Sequence, residues 1–107
     1  MTIQRTVGVI QARMGSSRLP GKSLVTIGGK AAVLHVIERV SSSPAVDAVV
    51  VATSSADEDT ELAEFVQESG YLCYRGSLND VLSRTLKAAE SLGADHVVRI
   101  PGDKIMV

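Results

Sequence analysis

Five residues near the middle of the chain, Ala48-Val-Val-Val-Ala52, are apolar without interruption. A strand with one wet face would carry a polar residue at every second position, so this run reads as a strand covered on both sides. Such strands belong inside parallel sheets, and parallel strands need a crossover between them, usually a helix. The rest of the chain supplies that alternation. Thr6-Val-Gly-Val-Ile10 is a second buried strand, and residues 24–27 form a possible short one closed by Gly28-Gly29. Residues 31–42 place Val33, Val36, Ile37 and Val40 on one helical face. Ser54 or Ser55, followed three positions later by Asp57 or Glu58, has the spacing of a capping box. It opens a helix with Leu62, Phe65 and Val66 as its stripe and Gly70 as its stop. A strand at residues 71–74 follows. Next come a helix over residues 77–92, with Leu82, Leu86 and Ala89 on one face and Gly93 at its end, and a strand over residues 95–100.

This order predicts an α/β fold: three layers, α/β/α, around a mostly parallel, Rossmann-like sheet, in a single domain over residues 1–107. Ligands of such sheets sit at the carboxyl ends of the strands. The loop after Ile10, the turn after Ala52, the segment after Tyr74 and the Gly102-Asp103 pair all fall there.

Charge is unevenly spread. Residues 1–37 carry Arg5, Arg13, Arg18, Lys22 and Lys30 and no acid, whereas the remainder is net acidic, giving −1 for the whole chain. A basic N-terminal third on an acidic body points to one local anion site rather than a nucleic-acid-coating surface. With no Trp, one Phe and two Tyr, the composition disfavours base-stacking platforms as well. No apolar run reaches the ~20 residues of a membrane span, and the N-terminus lacks a signal-peptide design. The expectation is a cytoplasmic protein with neither membrane nor nucleic acid as partner. Cys73 is the single cysteine, which excludes an internal disulfide.

The segment Gln11-Ala-Arg-Met-Gly-Ser-Ser-Arg-Leu-Pro-Gly-Lys-Ser23 follows the first strand directly. Its small residues Gly15, Ser16 and Ser17 let backbone N–H groups converge on an anion, while Arg13, Arg18 and Lys22 bring positive charge suited to phosphate oxygens. A triphosphate asks for that combination; a solvated basic loop is the plainer alternative. A P-loop is the competing motif, but five residues rather than four separate Gly15 from Gly21, and a strand-like stretch follows where a helix should start.

In these residues the chain resembles the cytidylyltransferases that activate sugars as CMP-sugars, above all the spore coat polysaccharide biosynthesis protein F branch. The 3-deoxy-manno-octulosonate and acylneuraminate enzymes are more distant. The likeness continues through Gly28-Gly-Lys30, Val50-Val-Ala-Thr-Ser54, Arg75-Gly-Ser-Leu-Asn-Asp-Val-Leu82 and Arg99-Ile-Pro-Gly-Asp103. It implies a nucleotide-diphospho-sugar transferase fold and the reaction of CTP with a sugar to give CMP-sugar and pyrophosphate, with Mg2+. It implies Arg13 and Lys22 as catalytic phosphate-holding residues, supported by Ala12, Gly15, Ser16, Ser17 and Arg18. Thr53 and Ser54 would lie near the nucleoside, Arg75, Ser77 and Asp80 would border the cytosine pocket, and Asp103 would bind the metal.

Several of these residues have local alternatives. Ser77 and Asp80 fit a helix cap as well as a nucleotide contact, and Ser54 fits a cap. Asp103 fits a turn and Arg75 a surface charge. Arg99 suits the site edge or an acidic partner. His35 and Cys73 suit packing, and His96 opens a strand with no nearby ligand partner. Asp57-Glu-Asp59 and Glu61 suit an acidic helix N-terminus better than a metal cluster. Pro101 stands where the family usually has Thr, Ala31 replaces a common Pro, and Lys104-Ile-Met-Val107 replaces the family's continuation, setting a cation beside the metal-binding position. Family enzymes also run well beyond this length. The expectation is therefore a truncated N-terminal part, ended by a shifted frame and lacking a metal carboxylate, most of the sugar pocket and the dimerisation element that a homodimer needs. Three functions follow: a cytidylyltransferase by descent, a non-catalytic nucleotide- or partner-binding fragment, or a P-loop-like NTPase.

Overall fold

The computed structural model describes residues 4–14, 26, 27 and 29–101. Four strands, β1 (Thr6–Gln11), β4 (Ala48–Ser54), β5 (Leu72–Gly76) and β6 (His96–Pro101), form one parallel sheet in the order β5-β4-β1-β6. The unbroken apolar run is β4, and it lies inside the sheet as its composition requires. It continues two residues further than the apolar stretch, through Thr53 and Ser54, which are also fully buried. A separate two-stranded hairpin pairs β2 (Thr26–Ile27) with β3 (Lys30–Ala31). The second arm was not expected: the turn at Gly29 carries the chain back on itself before the next helix begins.

Helices α1 (Ala32–Ser41) and α2 (Thr60–Glu68) cover one face of the sheet, and α3 (Val81–Glu90) covers the other. On the first side Ile10 and Val51 pack with Val33, Val36 and Ile37 of α1 and with Leu62 and Val66 of α2. On the other, Val7, Val9, Val50 and Ala52 pack with Ala88 and Ala89. Alternate residues of β1 and β4 thus feed opposite cores, which is why neither strand tolerates a polar position in its middle. Gly70 and Gly93 follow α2 and α3 with φ of 90° and 68°, the left-handed backbone at which only glycine ends a helix without strain. Among the described residues no helix is long and apolar enough to cross a membrane.

Three local readings are corrected. Ser54 does not cap α2: it stays in β4, a 3-10 turn at Asp57–Asp59 intervenes, and no side chain caps either helical segment. Helix α3 begins at Val81 rather than residue 77, because Asp80 is its N-cap and accepts the Ser83 N–H. Its buried face is also rotated from the leucine stripe. Leu82 and Leu86 are 68% and 46% exposed, while Arg84, Thr85, Ala88 and Ala89 are buried. The two alanines let the helix axis come close to the sheet, and the polar heads of Arg84 and Thr85 reach the end of β1. Small size and a hydrogen-bonding partner outweighed hydrophobicity.

Candidate functional site

At the carboxyl edge of the sheet four chain segments meet: residues 11–14 after β1, residues 54–59 after β4, residues 76–80 after β5 and Pro101 closing β6. The Ala12 N–H donates to the Ala52 carbonyl at 3.2 Å, so the first residue beyond β1 still follows β4. Arg13 comes next. Its Nη2 lies 2.8 Å from Glu58 Oε1 and its Nε 3.5 Å from Asp59 Oδ2. The Arg13 side chain is 29% exposed and Glu58 is more so, whereas Asp59 is fully buried.

Asp59 is the centre of this corner. Its carboxylate accepts the Met14 N–H at 2.7 Å and the Ser54 hydroxyl, besides facing Arg13. A buried carboxylate needs such partners, since leaving it unpaired would cost several kcal/mol, roughly the desolvation penalty of one ion. The Ser54 Oγ also accepts the Ala56 N–H at 3.2 Å.

Arg75 braces the same corner from β5. Its Nε donates to the Ser54 carbonyl at 2.9 Å, and its Nη2 donates to the Ala56 carbonyl at 2.8 Å and to Thr60 Oγ1 at 3.1 Å. It is not a free surface charge: it holds the β4–α2 connection in place. Beside it, Thr53 Oγ1 is buried without a hydrogen-bond partner. Ser77 Oγ accepts the Asp80 N–H at 3.0 Å, and Asp80 Oδ1 accepts the Ser83 N–H at 2.9 Å. Both side chains therefore perform the capping alternative, which by itself decides nothing about a nucleotide.

On the α3 side, Arg84 is 2% exposed yet touches no carboxylate among the described residues. Its Nη2 and Nε donate to Gln11 Oε1 at 2.7 and 3.2 Å, and its Nη1 donates to the Ser77 carbonyl at 3.0 Å. Burial, and then the positive charge of Arg13, pull the Arg84 pKa below its ordinary value; Asp59 opposes them, and Arg99 adds to the depression. Arg84, Asp59 and Glu58 were not read from the sequence as parts of this corner. Nothing in the spacing marked them: Arg84 lies off the leucine stripe that the helical period offered as the buried face, and Glu58 and Asp59 sit in an acidic run.

Gly15, Ser16, Ser17, Arg18, Lys22 and Asp103 lie outside the described residues. Arg99 is exposed on edge strand β6, with no acidic partner among the described residues. Among the described residues no three His, Cys, Asp or Glu side chains gather as a metal site. The two acids at the corner, Glu58 and Asp59, are both engaged with Arg13. Neither is open to a divalent cation while Arg13 holds it, and Asp103, the expected metal residue, lies outside the described residues. Burial pushes the Cys73 thiol up to about 11, against a smaller lowering by Arg75, which makes it an unreactive packing residue.

Residues 7–107 match the family model described as Cytidylyltransferase. The chain belongs to the cytidylyltransferase family. Among its relatives, the 3-deoxy-manno-octulosonate cytidylyltransferase of Syntrophobacter fumaroxidans is 42% identical over 106 residues, covering 96% of this chain and 42% of that protein. The spore coat polysaccharide biosynthesis protein SpsF of Bacillus subtilis is 36% identical over 103 residues, covering 92% and 43%. The structure of CMP:2-keto-3-deoxy-manno-octonic acid synthetase in complex with CTP superposes with a TM-score of 0.81 at 35% identity, covering 97% of this chain and 42% of that one. The three-layer parallel fold and the family expected from the motifs are thereby both found. The chain spans about two fifths of the length of these relatives.

Proposed function

We propose that the carboxyl edge of this sheet binds the triphosphate of CTP and serves the transfer of CMP to a sugar hydroxyl, with release of pyrophosphate, in the cytoplasmic synthesis of cell-surface polysaccharide. The observation that carries the reading is Arg13, set directly after the first strand and held at the mouth of the site by a buried and an exposed carboxylate. An exposed ion pair such as Arg13–Glu58 contributes only about 0–1 kcal/mol. A triphosphate, with more charge and several acceptor oxygens, therefore displaces Glu58 at little cost.

In-line attack on the α-phosphorus leaves pyrophosphate carrying the developing charge. Arg13 and Lys22, supported by Arg18 and the amides of Gly15, Ser16 and Ser17, neutralise it; positioning and charge stabilisation are what such a transfer needs from the protein. Arg75 takes part by fixing the backbone of residues 54–56, beside Thr53, on the nucleoside side; Ser77 and Asp80 border the base. Asp103 is the residue assigned to Mg2+, which would add charge neutralisation at the phosphates. The acceptor is a sugar, and a homodimer is the assembly proposed for full-length members of the family.

Titrating CTP calorimetrically with and without Mg2+ tests the reading. Lys22→Ala is expected to weaken binding in both conditions, and Asp103→Ala mainly in the presence of metal. Pyrophosphate release with candidate sugars separates a transferase from a binding fragment. Equal loss in both variants, or steady ATP hydrolysis without sugar, would overturn the assignment.

A further inference from the structure

We propose that Asp59 is the positioning residue of this site: one buried carboxylate sets both the Arg13 guanidinium and the backbone from which the phosphate-binding loop departs. The proposal rests on the CTP reading above. Asp59 lies 45 residues from Met14 in the chain, and its acidic neighbours Asp57 and Glu58 give it a local explanation as part of a helix N-terminus. Its geometry is different. It stands at the N-cap position of α2, yet it is fully buried, its side chain makes no cap hydrogen bond, and its contacts run to β1's exit and β4's end.

The arrangement has a consequence for Arg13. The guanidinium is planar, so turning its Nε edge to the buried carboxylate leaves the terminal amino groups on the side of exposed Glu58. Arg13 Nε is itself buried and has no hydrogen-bond acceptor, so the 3.5 Å approach of Asp59 is the charge contact that holds it. The Met14 N–H bond fixes the Arg13–Met14 peptide, at the last described residue after β1. The Ser54 hydroxyl ties the same carboxylate to the central strand.

Two effects of Asp59 on a triphosphate have opposite signs. Its negative charge repels the ligand, so charge alone predicts that Asp59→Asn tightens CTP binding. Its positioning of Arg13 predicts that the same substitution weakens it, since a guanidinium free to rotate pays ordering entropy on binding. Asn offers the Met14 N–H only a weaker, uncharged acceptor and removes the charge that holds Arg13.

The test is a double-mutant cycle on CTP affinity with Asp59→Asn, Arg13→Ala and the pair. We expect Asp59→Asn to raise the dissociation constant about tenfold in the wild-type background and by less than about twofold in Arg13→Ala, a coupling of roughly 1 kcal/mol. A purely structural role would lower the fraction of binding-competent protein or the melting temperature, without coupling to Arg13. Tighter binding, or equal losses in both backgrounds, overturns the proposal. Where Asp59→Asn does not fold, Ser54→Ala removes one of the carboxylate's partners and keeps its charge; a smaller loss in the same direction, again absent in Arg13→Ala, is expected. Hydrogen exchange at the Met14 amide needs no nucleotide. It is expected to be slow in the wild type and to quicken in either variant, while the amides of β1 and β4 keep their protection. Absence of CTP binding by the wild type would refute the nucleotide reading, whereas unchanged Met14 exchange would refute the role of Asp59.

Discussion

Gly8 sits in β1, the strand that delivers Arg13, and the structure leaves no room for a side chain there. A Cβ at that position would lie 2.9 Å from Val40 Cγ1, 3.3 Å from Ile100 Cδ1 and 3.4 Å from Val46 Cγ1. Carbon atoms prefer about 3.5–4.0 Å, so Gly8→Ala forces α1 and the edge strand outward by several tenths of an ångström. Overpacking of this kind costs about 1–3 kcal/mol. The lost freedom of the unfolded chain returns about 0.4–1 kcal/mol, since the backbone here is ordinary strand and accepts alanine. The net expectation is a loss of about 1–2 kcal/mol, or a fall in melting temperature of roughly 5–15 °C for a chain of this size. Val40→Ala removes the offending methyl and costs about 1–1.5 kcal/mol by itself, from two partly buried methyl groups. If sterics are the cause, the double variant is about as stable as Val40→Ala alone, a coupling of about 1 kcal/mol or more. Thermal unfolding of the four proteins by circular dichroism measures this. A more stable Gly8→Ala, or strictly additive losses, would refute the packing argument.

Two further outcomes follow from buried polar groups. The Cys73 thiol, raised from 9.0 to about 11, keeps its proton in the folded chain after the unfolded chain has lost it. Folding stability therefore falls as pH rises from 9 to 11, a decline that Cys73→Ala reduces, and the native thiol alkylates slowly at pH 8; an identical pH slope in the alanine variant counts against this. Thr53→Val deletes a buried hydroxyl that has no partner and keeps its shape, so the melting temperature is expected to rise, by the equivalent of about 1–3 kcal/mol; an unchanged or lower value would mean that the hydroxyl is satisfied in solution.

What the sequence revealed and what it hid divide along a physical line. The central strand was legible because both its faces are buried and every residue says so, and α1 because Val33, Val36 and Ile37 recur at the helical period. Those signals are local. The face of α3 was misread because leucines dominate a hydrophobic count, whereas contact distance to the sheet was set by Ala88 and Ala89. Asp59 and Arg84 were hidden for another reason. Each is explained by its neighbours in sequence, the first as one of three acids before a helix, the second as a charged helix residue. Their real partners lie 45 and 73 residues away, and spacing along the chain carries no trace of them.

The charge balance at the sheet edge connects these hidden residues to the proposed ligand. Arg13, Arg75, Arg84 and Arg99 stand on the segments that converge there, and among the described residues only Arg13 meets carboxylates. Arg75 and Arg84 instead bond to carbonyl oxygens, a side-chain hydroxyl and an amide oxygen. Neutral acceptors satisfy the N–H groups of a guanidinium and leave its charge uncompensated. Arg84 records the result, since burial, Arg13 and Arg99 work against its charged form and only Asp59 favours it. A fold selected for stability alone would place a carboxylate, or an apolar side chain, at such a position. On the proposed reading, the counter-charge that the described residues leave out at this edge arrives with the ligand, as a polyanion such as a triphosphate would bring it. Asp59 fits the same proposal, because one buried acid is enough to hold Arg13 in place, while a second buried acid would cancel the attraction that the proposed ligand needs.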